Sequence, residues 1–245
     1  MMNVFITGAS SGIGKSLAYF YAEQGATVGI CARRQNRLQI VEEKIKSLGG
    51  EAISFILDVA DQEACQMAIE QFLAETESID IVIANAGIGG VDDISSGSPS
   101  TMNKILSINI LGVTNTITPF IPIMKKQKFG RICIISSVAG TRGMVAHGAY
   151  SASKAAVRIL GDSWDYSLSR HKISTTVIFP GWIATEMTEN HKFKMPFLMT
   201  SDTAAKKIAN VIQKGKRTYI LPWQWNIIVP IFRILPRWII KLFSV

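Results

Sequence analysis

Tyr150 and Lys154 stand four residues apart in Tyr150-Ser151-Ala152-Ser153-Lys154, at the head of a segment that patterns as a helix. Positions i and i+4 share one helical face, so an ammonium at this spacing lies near the phenol. A neighbouring cation favours phenolate and lowers the tyrosine pKa from its reference of about 10, which makes the side chain usable as an acid or base near neutrality. Thirteen residues upstream, Ser137 closes the apolar strand-like run Arg131 to Ser136 and offers a hydroxyl to a carbonyl oxygen. Together these types describe proton exchange with a carbonyl oxygen beside an oxyanion donor. Singly, each has a plainer use: a turn serine, a half-buried tyrosine, a solvated lysine. Ser136 is the rival serine. His147, three residues before Tyr150, reads as a loop residue, since Tyr150 already fills the acid/base role.

A second cluster lies at the front, in Thr7-Gly8-Ala9-Ser10-Ser11-Gly12-Ile13-Gly14. It follows a strand-like Val4 to Ile6 and opens an amphipathic segment from Lys15 to Gln24, the place of a dinucleotide-binding turn. Glycine there permits positive φ and close approach of a pyrophosphate, which the helix amides and their positive end attract. A phosphate-loop NTPase needs four residues between its first glycine and Gly-Lys-Ser/Thr. Here five separate Gly8 from Gly14-Lys15-Ser16, which argues against a nucleotidase. Where an NAD-binding unit places an acid for the ribose 2′-hydroxyl, after the second strand Ala26 to Ala32, this chain has Arg33 and Arg34. Guanidinium suits a 2′-phosphate and has no acceptor for a hydroxyl, so these residues favour NADP(H) over NAD(H). The alternative is a solvated loop.

In these motifs the sequence resembles the short-chain dehydrogenase/reductase family, in its compact single-domain branch, over roughly Asn3 to Leu221. The turn matches the family's cofactor motif through Gly8, Ser10, Ser11, Gly12, Ile13 and Gly14. Asp58-Val59 matches the pair that contacts adenine, and Ala84-Asn85-Ala86-Gly87 the motif after the fourth strand. Asn109, Ser137, Tyr150 and Lys154 fall on the catalytic tetrad, whose spacing selects Ser137 over Ser136. Pro180-Gly181-Trp182-Ile183-Ala184-Thr185 matches the segment that holds the nicotinamide amide, with Ile183 and Thr185 as contacts. The resemblance implies that Tyr150 protonates a carbonyl oxygen as nicotinamide delivers hydride to its carbon, while Ser137 steadies the oxyanion. It implies further that Lys154 holds the nicotinamide ribose and depresses the Tyr150 pKa, and that Asn109 positions a water linking Lys154 to solvent.

The elements that must position these residues alternate along the chain. Strands are predicted near Asn3 to Ile6, Thr27 to Ala32, Ala52 to Leu57, Ile79 to Ala84, Gly130 to Ser136, Ser174 to Phe179 and Thr218 to Leu221. Helices are predicted at Gly12 to Gln24, Asn36 to Leu48, Gln62 to Thr76, around Thr101 to Lys126, Tyr150 to Ser169 and Asp202 to Gln213. Near-continuous apolar strands with helical crossovers mean an α/β fold: a Rossmann-like, doubly wound parallel sheet of about seven strands, helices on both faces, and ligands at the carboxyl ends. Residues 1–245 read as one NAD(P)-binding domain. Gly89 to Ser100 and Glu186 to Ser201 read as loops. The second is a substrate lid whose Met187, Met195, Phe197, Leu198 and Met199 either favour an apolar carbonyl compound or pack the lid down.

Cys31, Cys65 and Cys133 form no metal-ligand spacing, and an odd number argues against a disulfide framework, so a reducing, cytoplasmic setting is expected with no metal. The first strand begins almost at Met1, which leaves no expected signal peptide. From Lys192 to Val245 ten Lys or Arg face one acid, Asp202, and account for the whole net charge of +8. Within this stretch, residues 223–245 form a Trp- and Ile-rich tail in which Arg233, Arg237 and Lys241 recur every four residues among Phe232, Leu235, Trp238, Ile239 and Leu242. That composition fits an interfacial helix on an anionic membrane or a surface packed on the protein itself or a second subunit. Charges and prolines interrupt it before it becomes a membrane span. Nucleic acid lacks a recognition motif, while an acidic acyl carrier would suit the basic rim. Expected partners are therefore a small carbonyl or alcohol substrate and a second copy, as homodimer or homotetramer, with peripheral membrane contact open. The leading function is an NADP(H)-dependent carbonyl reductase or alcohol dehydrogenase. A cofactor-binding regulator and a peripheral membrane protein are the alternatives.

Overall fold

The structure is a computed structural model, and it describes residues 1–92, 94–189, 194–236 and 238–239. Runs of β-branched and apolar residues form strands β1 (Asn3–Thr7), β2 (Thr27–Ala32), β3 (Glu51–Ile56) and β4 (Ile81–Ala84), alternating with helices α1 (Gly12–Ala22), α2 (Gln35–Ser47) and α3 (Gln62–Thr76). A helical run follows, made of α4 (Ser100–Leu106), a π turn (Ser107–Leu111), α5 (Gly112–Ile117), a 3-10 turn (Thr118–Phe120) and α6 (Ile121–Gln127). Then come β5 (Gly130–Ile135), α7 (Gly148–Leu168), β6 (Ile173–Pro180), β7 (Ile183–Ala184), α8 (Glu186–Glu189), β8 (Met199–Thr200), α9 (Ser201–Gln213), β9 (Thr218–Leu221) and α10 (Trp225–Ile234).

Seven strands form one sheet in the order β3-β2-β1-β4-β5-β6-β9, every pair parallel. The chain winds outward from β1 to β3, then returns to the other side of β1 with β4, so the direction of growth reverses there. This is the Rossmann-like doubly wound arrangement, whose ligand crevice opens at the carboxyl ends beside that reversal. The pleat sends alternate residues to opposite faces. Val4, Ile6, Val28, Ile30, Ile81 and Ile83 join α1, α2 and α9 in one core. Phe5, Cys31, Val82, Ile132 and Ile134 join α3, the α4–α6 run and α7 in the other. On that side Phe5 stands edge-on to Phe72 and Phe120, with ring centroids 5.2 and 5.0 Å away.

The helical run Ser100–Gln127 is apolar and long enough to cross a membrane, but Ile105, Ile108, Val113, Ile117, Phe120 and Met124 are buried in the protein. It is a core crossover. Of the two segments read as loops, 89–100 carries a 3-10 turn at Ile94–Ser96, and 186–201 contains α8 and β8. Asn190, His191, Lys192 and Phe193 of the expected lid lie outside the described residues, as do Arg237, Lys241 and Leu242 of the tail.

Candidate active site

The glycine turn is held by the end of β4. Gly8 has φ +69°, and a Cβ there would lie 2.8 Å from the Ala86 Cα, while one on Gly14 would strike the Asn85 amide and the Gly8 carbonyl. With glycine at both places, Asn85 Nδ2 donates to the Thr7 and Gly8 carbonyls at 3.0 and 3.2 Å. Thr7 Oγ1 accepts from the backbone amides of Asn85 and Ala86 at 3.3 and 3.4 Å. Helix α1 starts at Gly12, φ +55°, with Ser11 at its N-cap, no capping side-chain bond and no acid in its first turn. The half-buried Ile13 follows. Uncapped amides on a glycine cradle fit an anionic dinucleotide.

Beside this turn the structure gathers three arginines. Arg34 Nη2 donates to Ser10 Oγ and Ser11 Oγ at 3.0 and 2.9 Å, and its Nη1 meets Glu186 Oε2 at 2.8 Å. Arg37 pairs with the other oxygen of Glu186. Arg33 points instead to Asp58, 3.3 Å away. Asp58 also accepts from the Ala60 amide at 3.1 Å, and Val59 is buried against Gly112, its carbonyl accepting from Asn115 at 2.9 Å. Sequence reasoning placed Arg33 and Arg34 together at the 2′-phosphate. The arginine that reaches the turn is Arg34, and Arg37 and Glu186 were missed. Arg37 was legible as the next basic residue, one helical turn beyond Arg34. Glu186 was not, since it is 152 residues away from Arg34 in sequence.

Around Gly87 the structure brings together Asn109 and Lys154: a Cβ on Gly87 would lie 3.2 Å from Asn109 Oδ1 and 3.3 Å from Lys154 Nζ. Asn109 is turned inward by the π turn and is fully buried. Its Oδ1 accepts from the Ile88 amide at 2.8 Å, and its Nδ2 donates to the Ile88 carbonyl and Ser153 Oγ at 2.9 and 3.0 Å. Both of its protons are used, so a water would find only the second lone pair of Oδ1 or the main chain. Lys154 is buried, its Nζ donating to the Ile135 carbonyl at 2.9 Å and standing 5.8 Å from the centre of the Tyr150 ring. Ser137 Oγ accepts from the Ala139 amide at 3.1 Å and is 3.4 Å from the Pro180 carbonyl. Its neighbour Ser136 donates to the Lys154 carbonyl at 2.8 Å, which gives that serine a structural task. His147 is equally structural, with Nδ1 at 2.8 Å from the Gly90 carbonyl. Asp92, another residue sequence reasoning missed, accepts from the Ala149 amide at 2.8 Å and ties the loop after β4 to the first turn of α7, next to Tyr150.

One expected electrostatic effect is absent. Burial raises the Tyr150 pKa above its ordinary value, and the contact that pulls it back is a hydrogen bond with Ser137, not the Lys154 ammonium. The ammonium is turned onto Ile135, and burial drops the Lys154 pKa to about 8. Desolvation therefore sets the direction of the shift at both groups.

The segment after β6 closes the site. Pro180 ends the strand, and the Gly181 amide donates to the Leu221 carbonyl at 2.7 Å. A Cβ on Gly181 would overlap the Trp225 indole, so α10 lies directly on this segment. Ile183 is buried and pairs with Met199 in the β7–β8 ladder. Thr185 brings its methyl to the turn, where a Cβ on Gly12 would lie 2.9 Å from it. Arg142, from the loop after Ser137, donates to the Phe232, Arg233 and Leu235 carbonyls at 2.7, 3.1 and 2.8 Å and so caps α10.

Residues 2–195 match the family described as short chain dehydrogenase. An uncharacterized oxidoreductase of Myxococcus xanthus is 33% identical, with 95% of this chain and 92% of the relative covered. The 11-beta-hydroxysteroid dehydrogenase-like 2 protein of Arabidopsis thaliana is 34% identical over 91% of this chain and 73% of its own length. Among solved structures, a 3-oxoacyl-[acyl-carrier protein] reductase with bound NAD from Brucella melitensis superposes with a TM-score of 0.79 at 29% identity, covering 90% of this chain and 89% of that one. The matched span takes in the glycine turn, Asn109, Ser137, Tyr150, Lys154 and the segment through Thr185, and so this chain belongs to the short-chain dehydrogenase family, oxidoreductases that use NAD(P) on CH–OH and C=O groups.

Proposed function

We propose that the protein is an NADP(H)-dependent reductase of an apolar carbonyl compound, or dehydrogenase of the matching alcohol, working through Tyr150, Ser137, Lys154 and Asn109. The observation that carries the reading is the meeting of Asn109 and Lys154 at Gly87, with Tyr150 above Lys154 and Ser137 the side chain that pulls the Tyr150 pKa back down. A bound nicotinamide dinucleotide supplies or accepts the hydride. Tyr150 gives its phenolic proton to the substrate oxygen in reduction and takes it back in oxidation. Ser137, held only loosely by Pro180, turns its proton to the developing oxyanion. Lys154 would hold the ribose hydroxyls and offset the phenolate charge once its ammonium swings from Ile135 toward Tyr150. Asn109 fixes the Ile88 main chain beneath Gly87 and leaves one Oδ1 lone pair for a water on the proton path.

Preference for NADP(H) is supported by Arg34 on Ser10 and Ser11, with Arg37 beside it on Glu186 and Arg33 on Asp58. Gly8, Ser10, Ser11, Gly12, Ile13, Gly14, Asn85, Ala86 and Gly87 would carry the phosphates and riboses, Asp58 and Val59 the adenine, and Pro180, Gly181, Ile183 and Thr185 the nicotinamide. An apolar substrate is supported by the exposed Met187, Phe197 and Leu198 of residues 186–201, read as a lid over one cofactor-binding unit. A reducing, cytoplasmic setting is supported by three buried free cysteines. The test is loss of nicotinamide absorbance with NADPH and with NADH against apolar ketones, aldehydes and β-ketoacyl thioesters. Turnover should prefer NADPH and fall about 10²–10⁴-fold in Tyr150→Phe with cofactor affinity retained. An unchanged rate in that variant would sink the mechanism.

A further inference from the structure

Helix α10 is apolar on two faces, and the protein uses only one of them. Trp225 lies on Gly181, Val229 is buried, and Phe232 sits under the Arg142 guanidinium, 5.9 Å from ring centre to Cζ. On the other side Ile227, Ile231 and Ile234 are exposed by 58, 53 and 81%, and Trp223 and Trp238, which flank the helix in sequence, by 64 and 67%. Spaced four and three apart, the isoleucines form one stripe of the helix. Single exposed apolar residues need no explanation, but a stripe of three isoleucines between two tryptophans does.

We propose that this stripe seats the protein on the surface of an anionic lipid bilayer. Charge separates this occupant from the others. Residues 192–245 carry ten Lys or Arg and the single acid Asp202, a net +9, whereas the remainder of the chain is near neutral. Within that stretch, residues 223–245 hold Arg233, Arg237 and Lys241 and no acid. A second copy docked stripe to stripe about a two-fold axis would bring the exposed Arg233 toward the Arg233 of its mate. Anionic headgroups supply the missing negative charge, at about 1 kcal/mol per basic residue near the surface. Tryptophans at the two ends of the stripe suit the headgroup boundary, where an apolar ring and a polar N–H are both satisfied. With ten residues α10 is far too short to span, so it lies in the interface plane. Arg142 and Trp225 fix it to the catalytic loop and to Gly181, which puts the lipid surface beside the mouth of the site.

The test is flotation of the full-length protein with vesicles of phosphatidylglycerol or of phosphatidylcholine at low ionic strength. The protein should float with the anionic vesicles at least about tenfold better than with the neutral ones and come off as salt is raised. Ile227→Ser/Ile231→Ser/Ile234→Ser should lose about tenfold or more of that partition at unchanged cofactor affinity. A measurement on the native chain stands behind the variant: bromine-labelled phosphatidylglycerol should quench tryptophan emission, and Trp223→Phe/Trp238→Phe should remove most of the quenching. Equal flotation on both lipids, none on either, or quenching indifferent to Trp223 and Trp238 would overturn the proposal. So would a lipid-free dimer that the triple serine variant converts to monomer, since the stripe would then belong to a second copy. No readout involves turnover, so the reductase reading and this one fail separately.

Discussion

Lys154 holds a cation where the fold has removed its water. Its pKa of about 8 against the model-compound 10.5 means that the unfolded chain keeps the proton at pH values where the folded chain has lost it. Between about pH 8 and 10 the unfolded state binds more protons, so this group makes stability rise with pH; below 8 both states are charged and the burial cost is present in full. That cost is on the order of 3 kcal/mol. Buried cysteines and Tyr150 titrate with the opposite sign at higher pH, so the comparison that isolates Lys154 is the wild type minus Lys154→Met. In urea melts of the cofactor-free protein that difference should move in favour of the wild type from pH 8 to 10, and a flat difference would refute the assignment. The arginines make a second prediction at this scale. A charge-assisted hydrogen bond contributes about 1.5–3 kcal/mol, so Arg34→Ala should weaken NADPH roughly 10- to 100-fold in a fluorescence titration while NADH changes little. Arg33→Asp should show the same bias, because it exchanges a guanidinium after β2 for a carboxylate that repels a 2′-phosphate. Equal losses for both cofactors would count against the 2′-phosphate assignment.

At the scale of elements, the site depends on places where regular structure is interrupted. The helical run after β4 departs from α geometry at Ser107–Leu111, and this π turn aims Asn109 at the Ile88 backbone. Asn109→Leu keeps the volume but strands a buried N–H and C=O. It should cost about 2–3 kcal/mol and lower Tm by roughly 5–10 °C in calorimetry, with turnover falling as well. The strands were legible because each is an apolar run with a helical partner on one or both faces, and their ends moved by only one or two residues. The π turn was not legible, because Ser-Ile-Asn-Ile-Leu has no feature that separates it from an ordinary helical turn. Nor were β7 and β8, two-residue strands defined by each other across the lid. The tetrad was visible as a spacing, yet the direction of the Lys154 ammonium and the rise in the Tyr150 pKa come from burial, which a spacing does not encode. Glu186 and the contacts of Arg34 and Arg142 were hidden for a different reason: the partners lie 23 to 152 residues away.

Across the whole molecule, the sheet and its two cores leave distinct outer surfaces. On α7 the inward stripe of Ala149, Ser153, Val157 and Gly161 faces β6 and the site, whereas Ile159 and Tyr166 are exposed two turns apart on the outside. A pair of such residues on one long helix is suited to a second copy of the same helix, in keeping with the oligomers common in this family. Ile159→Glu/Tyr166→Glu should shift the protein to a smaller species in sedimentation without changing cofactor affinity; an unchanged sedimentation coefficient would place any oligomer contact elsewhere.

The capping of α10 by Arg142 and the cover that Trp225 gives Gly181 bear on how lesions in this chain would be scored. A premature stop codon just before Trp225 deletes none of the tetrad and none of the sheet. It nonetheless uncovers the backbone beside Pro180 and removes the carbonyls that hold the loop after Ser137. In a genetic screen such an allele would be grouped with active-site mutants, whereas alleles confined to the outer isoleucines of α10 would leave that support in place.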